Sequence, residues 1–226
     1  MPQYYEAYEQ RYKAIHEKGY SWASDKSTPI VLGKLKEYNI GKNDPVLEIG
    51  CGEGRDAVPV LREGYSLLAT DISEEAIRYC KEKFPAFADS FRVMDCLSHS
   101  GTEKYRFIYA VAVVHMLVRD CDRDGFYRFI HDHLSDDGIA LVCSMGDGGT
   151  EFNTDINDAF KLKERNHFSG KVMVSGTSCR MVNFRTFTEE IGRNGLGIIE
   201  QGLTSALPDF DSMLYAVVSS GRRAPV

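Results

Sequence analysis

Short apolar runs alternate with amphipathic stretches through most of the chain. Pro45–Ile49, Ser66–Thr70, Ser90–Met94, Tyr105–Val111 and Ile139–Met145 are strand-length segments dominated by aliphatic and aromatic residues. Their nearly continuous apolar character suits parallel strands covered on both faces. Helical patterns lie between them. One runs from about Arg55 to Glu63 and is closed by Gly64. A second starts at Ser73, whose side chain suits an N-cap, with Glu74 and Glu75 at the positive end of the helix dipole, and ends near Phe84-Pro85. A third, Gly125–Leu134, carries Phe126, Phe129, Ile130 and Leu134, and Asp136-Asp137-Gly138 reads as a turn. Upstream, Pro29 opens a helix with Ile30, Val31, Leu35 and Tyr38 as its apolar face. Downstream, the pattern predicts a hairpin from Lys171–Val174 and Cys179–Asn183. A helix over Phe187–Asn194 with Thr188 as its cap follows, then a last strand pair, Leu196–Gly202 and Met213–Ser219. Right-handed crossovers then predict an α/β fold: a doubly wound, mostly parallel sheet with an antiparallel edge strand and helices on both faces.

The remaining segments form the expected cover. Residues 1–44 are read as an N-terminal helical lid, with Tyr4, Tyr5, Tyr8 and Tyr12 at helical spacings. Residues 45–226 are read as the sheet domain, with a less regular insertion at about 146–185. In open α/β sheets, ligands bind at the carboxyl edge where the strand order switches, and both segments are expected above it.

Charge narrows the range of partners. The 226 residues hold 27 basic and 33 acidic side chains, a net charge of −6. No basic block is present, so nucleic acid is not an expected partner. The longest apolar run, around Ile108–Val114, is strand-sized, so no membrane partner is expected either. The opening MPQYYEAYEQRYK has no apolar core of a secretory signal. Six cysteines occur and none is in a C-x-x-C pair, so no metal is expected and a reduced, cytoplasmic protein is. His131 and His133 flank Asp132, but positions i and i+2 of a helix face different ways.

The densest information is in Val46-Leu47-Glu48-Ile49-Gly50-Cys51-Gly52-Glu53-Gly54. An apolar strand ends in a carboxylate, and glycines follow at alternate positions. Such a turn lets a ligand approach bare backbone. Glu48 disfavours a ligand that presents only phosphate and favours one with a cationic part. The dinucleotide fingerprint G-x-G-x-x-G would put its third glycine at Arg55. Two further acids fall at strand ends: Asp71 after the second strand and Asp95 after the third. A carboxylate after the second strand can accept both hydroxyls of a ribose.

This pattern, E-x-G-x-G-x-G with acids after the next two strands, resembles motif I and the cofactor-binding half of the class I S-adenosylmethionine-dependent methyltransferases, from about Leu47 to Leu117. Gly50–Asp56 with Gly64-Tyr65 is also similar to small-molecule enzymes of the tellurite-resistance and thiopurine type. The resemblance implies a Rossmann-like, seven-stranded sheet with the last strand inserted antiparallel, S-adenosyl-L-methionine as cofactor, and methyl transfer to a small-molecule acceptor. It implies that Gly50 and Gly52 let backbone approach the methionine part, that Gly54 completes the cofactor-binding turn, that Glu48 helps hold the ammonium, and that Asp71 grips the ribose. Ile72 and Met94 would sandwich the adenine, Asp95 would accept from its amine, and the Cys96 or Leu97 amide would donate to the ring. Cys51 would pack beside the turn.

His115, in Val113-Val114-His115-Met116-Leu117, stands where the family places residues facing the methyl group. It would be a catalytic base or a cofactor contact, and the same pattern suits a histidine packed among apolar neighbours. Tyr12, Tyr20 and Trp22 would close over a sulfonium through cation–π attraction, or bury their rings on the sheet. Arg180 would hold an acidic acceptor, or lie in an ordinary loop. Two other functions fit the same scaffold: a non-catalytic S-adenosylmethionine-binding subunit, and a NAD- or nucleotide-linked enzyme.

Overall fold

The computed structural model describes residues 3–24, 26–204 and 212–221. After a single 3-10 turn come α1 (Ala7–His16) and α2 (Pro29–Glu37). The sheet domain follows with β1 (Val46–Ile49), α3 (Ala57–Arg62), β2 (Leu67–Asp71), α4 (Glu74–Lys83), β3 (Phe91–Val93), β4 (Tyr105–Val111), α5 (Asp120–His133) and β5 (Leu134–Met145). Four short strands follow: β6 (Phe152–Asn153), β7 (Leu162–His167), β8 (Gly170–Ser175) and β9 (Arg180–Met181). The described elements end with α6 (Phe184–Arg193), β10 (Gly197–Thr204) and β11 (Met213–Ser219).

Seven strands form one sheet in the order β10-β11-β5-β4-β1-β2-β3. The strands β1 to β5 pair in parallel, and β11 runs antiparallel between β5 and β10. The order reverses between β1 and β4, so the crevice expected for a ligand lies beyond the carboxyl ends of those two strands. Side-chain alternation divides the core. Val46, Phe107, Tyr109, Leu141 and Val217 face α2, α3 and α4, where Leu35, Val60, Leu61 and Ile77 pack. On the other face, Leu47, Ile49, Ile108, Val142 and Ala216 meet Phe126, Tyr127 and Ile130 of α5 and Phe187 and Ile191 of α6. Each fully buried Val, Leu, Ile or Phe among these contributes about 1.5–3 kcal/mol of apolar transfer.

Ser73 caps α4 as its sequence predicts, accepting from the Ala76 amide at 3.0 Å. Three local expectations are corrected. The strand after α5 begins at Leu134, because the Ser135–Gly138 stretch is taken up as a register shift against β4 instead of a turn. The hairpin is β7 with β8, and Arg180–Met181 pairs instead with Phe152–Asn153. The strand Leu162–His167 is mostly exposed and polar, so no apolar alternation marks it. Helix α6 starts earlier than expected, capped by Asn183, whose side chain accepts from the Thr186 amide at 2.9 Å.

Helix α1 lies against the short-strand region. Ile15 packs on Val172 and Val174 of β8. The Arg11 guanidinium donates twice to the Ser175 carbonyl, at 2.8 and 3.1 Å, and sits over the rings of Tyr8 and Trp22.

Candidate functional site

The glycine-rich turn leaves β1 at Gly50. The amides of Gly50 and Cys51 both donate to the Thr70 carbonyl on β2, at 2.7 and 2.8 Å, which fixes the start of the turn to the neighbouring strand. Gly50, Gly52 and Gly54 have φ of +74°, +52° and +82°, a region in which a Cβ is strained. Space is closed as well. A Cβ on Gly50 would lie 2.4 Å from Val113 Cγ2, and one on Gly52 would lie 2.7 Å from the Tyr12 hydroxyl.

Asp71 ends β2 directly beside this turn. One carboxylate oxygen accepts the Gly52 amide at 2.8 Å and the other accepts the Ser73 amide at 2.8 Å. Burial raises its pKa above the ordinary aspartate value, and the backbone amides of Ser73, Gly52 and Ile72 oppose that rise. A carboxylate has about four acceptor directions, so acceptor capacity remains for a hydroxyl. On the next strand, the Met94 amide donates to the Asp71 carbonyl at 2.9 Å, which ties the tip of β3 to that of β2. Asp95 follows. It caps its own turn through the Leu97 amide at 2.9 Å and the Ser98 hydroxyl at 3.2 Å. The Leu97 amide is thus committed within the protein. Ile72, Met94, Asp95 and Cys96 are all partly exposed around this corner.

Glu48 departs from expectation. Strand alternation sets it on the α3 side with Val46, where it is 3% exposed and accepts the Tyr109 hydroxyl at 3.0 Å. Burial, reinforced by nearby Asp56, pushes its pKa well above the usual glutamate range. The carboxyl therefore supports the turn from beneath instead of presenting an anion to a ligand.

Residues from α1 and the segment after it cover the turn. Tyr12 is buried against Gly52. Glu53, inside the turn, accepts the amides of Trp22 and Ala23 at 2.7 and 2.6 Å and faces His16 Nε2 at 2.8 Å. Asp56 accepts the amide and hydroxyl of Thr28 at 2.5 and 3.0 Å. Trp22 stacks on His167, and Tyr20 meets His167 and Phe168, so the loop after α1 touches the β7–β8 hairpin. The sequence pattern alone does not single out Glu53, Asp56 and His16. Two acids inside a turn already rich in carboxylates are an excess of negative charge, and that was the available signal.

A left-handed turn whose glycines carry no side chain, a carboxylate at the adjacent strand tip and a second acid one strand further fit the hydroxyls and amine of an adenosyl group. Residues 46–138 match the family model described as a methyltransferase domain. Over this stretch, the chain is similar to that family. It is 30% identical over 120 residues to juvenile hormone acid O-methyltransferase of Bombyx mori, covering 50% of this chain and 41% of that protein. The chain spans about half the length of the curated relatives it matches. The CcbJ methyltransferase of Streptomyces caelestis superposes with a TM-score of 0.68 at 16% identity, covering 93% of this chain and 98% of that one. The 1,6-didemethyltoxoflavin-N1-methyltransferase of Burkholderia thailandensis superposes with a TM-score of 0.67 at 15% identity, covering 91% and 83%.

Two side chains near the crevice are already engaged. His115 lies in a 3-10 turn after β4, 4% exposed. Burial first, then the nearby Arg123 cation, lowers its pKa from 6.5 to about 4. A ring that protonates only near pH 4 is a weak base at neutral pH. The folded state then takes up a proton less readily than the unfolded chain. Stability contributed by neutral His115 is complete above pH 6.5 and is lost as pH falls from 6.5 toward about 4. Denaturant titrations over that window should show the loss, and His115→Asn should remove part of it. Arg180 donates to the Val118 carbonyl at 3.0 Å and to Asp120 at 2.6 Å, with Glu190 at 3.7 Å. Its charge is balanced within the protein, which corrects its expected role toward an acidic acceptor.

Cys51 is buried, and burial raises its thiol well above the ordinary range, as for a packing residue and not a nucleophile. Away from the crevice, the ligand atoms of His99, Glu103 and His133 lie within 4.8 Å of one another, but both ring nitrogens of His133 face backbone carbonyls, of Phe129 and Gly101.

Proposed function

We propose that the protein transfers the methyl group of S-adenosyl-L-methionine to a small-molecule acceptor. The observation that carries this reading is the junction of Asp71 with the Gly52 amide, at the switch in strand order. There a carboxylate, left-handed backbone and a second acid at the next strand tip come together. Asp71 binds the ribose hydroxyls. Asp95 accepts from the adenine amine, with Ile72, Met94 and Cys96 around the ring. Gly50, Gly52 and Gly54 admit the methionine part, and Glu48 holds the turn's shape from below.

The bound sulfonium supplies an activated methyl group, so the protein's task is to align the acceptor and exclude water. No protein base is required when the acceptor carries a free lone pair, which accords with the low pKa of His115. Residues 1–44 and 146–185 act as the lid, with Tyr12 on the turn and with Tyr20 and Trp22 joining the two segments. The small-molecule acceptors for which the Bombyx and Burkholderia proteins are named support an acceptor of that size. No helix of the described residues is long and apolar enough to cross a membrane. All six cysteines are free, in keeping with a reducing cytoplasm.

Calorimetry with S-adenosylhomocysteine and with NAD tests the cofactor. Binding of NAD alone would overturn the proposal in favour of a nucleotide-linked enzyme. Tight S-adenosylhomocysteine binding with no homocysteine-linked turnover across a broad acceptor panel would favour a non-catalytic subunit. Asp71→Ala should weaken S-adenosylhomocysteine binding by about 1–3 kcal/mol, the scale of charged hydrogen bonds. Asp71→Asn, which keeps an acceptor for the Gly52 amide, should lose less.

A further inference from the structure

His16 stands between two carboxylates. Its Nδ1 is 2.6 Å from Glu75 of α4 and its Nε2 is 2.8 Å from Glu53 of the glycine-rich turn. The three side chains are 6%, 10% and 3% exposed. A neutral imidazole has one N–H, so it would set a lone pair against one of these carboxylates. Only the imidazolium donates to both. The same Glu53 accepts the amides of Trp22 and Ala23, so one carboxylate gathers the end of α1 and the loop after it onto the turn.

We propose that the Glu53–His16–Glu75 bridge is a protonation-dependent clasp that holds residues 7–23 over the glycine-rich turn and so sets how long the cofactor stays bound. The effect on the cofactor rests on the function proposed above, whereas the clasp itself does not. His16 is a positioning residue: it acts through Glu53 and the segment that Glu53 anchors.

The groups around the ring support this. On its own helix, Tyr12 stacks at 5.9 Å between centroids, and Lys13 is paired with Glu9. Glu9 also accepts from the Ser73 hydroxyl and the Glu75 amide, which adds a second link between α1 and α4. Glu17 lies in the same surface hollow as Lys13, His16, Glu75 and Arg78. From α4, the Tyr79 ring stacks on His16 at 4.3 Å and 14°. Arg78 donates to both oxygens of Glu75, at 2.9 and 2.6 Å. It holds Glu75 below the usual glutamate range, with His16 adding to the effect. Burial works against a charged ring, but Glu53 and Glu75 outweigh it and keep His16 above the ordinary histidine value. The sign follows. A raised folded-state pKa gives stabilisation that is complete below the usual histidine range and is lost as pH rises through the folded value.

Trp22 is the only tryptophan and so reports on the clasped segment directly. Three measurements on the full chain test the clasp: side-chain nitrogen shifts of His16 in the cofactor-free protein, hydrogen exchange at the Trp22 and Ala23 amides, and the dissociation rate of S-adenosylhomocysteine from pH 6 upward. The expected result is an imidazolium at neutral pH. Trp22 fluorescence and amide protection should change together as the ring loses its proton, and the ligand should leave roughly tenfold faster above that transition. His16→Gln and Glu53→Gln should exchange those amides and release ligand fast at every pH, without the transition. A neutral ring at pH 7, or amide protection that ignores the titration in the wild-type protein, overturns the clasp whether or not the variants fold. Failure of S-adenosylhomocysteine to bind at all, with the amides still following the ring, removes the cofactor assignment and the consequence for release, and leaves the clasp standing.

Discussion

Arg123→Met should cost the fold about 3–5 kcal/mol, the usual consequence of stranding one partner of a buried ion pair. Both partners are completely buried: Arg123 on α5 and Glu190 on α6 are each 0% exposed. The guanidinium makes two bonds to the carboxylate, at 2.7 and 2.6 Å, and two more to the carbonyls of Val114 and Leu117, at 2.7 and 3.1 Å. Losing the cation leaves an anion without its main counter-charge, because Arg180 reaches Glu190 only at 3.7 Å. The double change Arg123→Met with Glu190→Met should recover most of the loss, since paired apolar replacement of a buried ion pair is often close to neutral. Urea denaturation midpoints read both. A single variant within about 1 kcal/mol of wild type would mean that the pair carries little. The same pair anchors the turn that holds His115, so the single variant should also move the His115 titration.

Much of this architecture is legible because burial writes itself into composition. Strands β1, β2, β4 and β11 are buried nearly throughout, and their apolar runs give their positions almost to the residue. The turn at Gly50–Gly54 is legible for another reason: left-handed backbone selects glycine, and three alternate glycines after a strand leave few other interpretations. What stays hidden depends on contacts distant in sequence. Nothing near Glu48 announces Tyr109, 61 residues away, which takes its carboxylate. Nothing near Arg123 announces Glu190, and an arginine among aspartates in the first turn of a helix reads as solvated until the fold brings α6 across it. The β7–β8 hairpin escapes because its first strand faces solvent with polar side chains. His16 and Glu53 are ordinary surface residue types, and only their burial between α1, the turn and α4 gives them meaning.

Gly52→Ala should impair the proposed cofactor seat. The left-handed φ of +52° costs an L side chain roughly 1–2 kcal/mol. The new methyl group would also meet the Tyr12 hydroxyl at 2.7 Å, well inside contact distance. Tyr12 is buried, so relief requires α1 to lift or the turn to move. A moved turn carries the Gly52 amide away from Asp71, and with it the geometry proposed for the ribose. The expected outcome is a stability loss of about 1–2 kcal/mol together with a fall in S-adenosylhomocysteine affinity of at least roughly tenfold. The two causes separate in a second variant. Tyr12→Phe removes the oxygen that the methyl group meets, so the double variant should regain part of the affinity while the backbone penalty persists in the denaturation midpoint. If Gly52→Ala binds S-adenosylhomocysteine as tightly as the wild-type chain, the glycine-rich turn is not where the cofactor sits, however well the rest of the fold matches a methyltransferase domain.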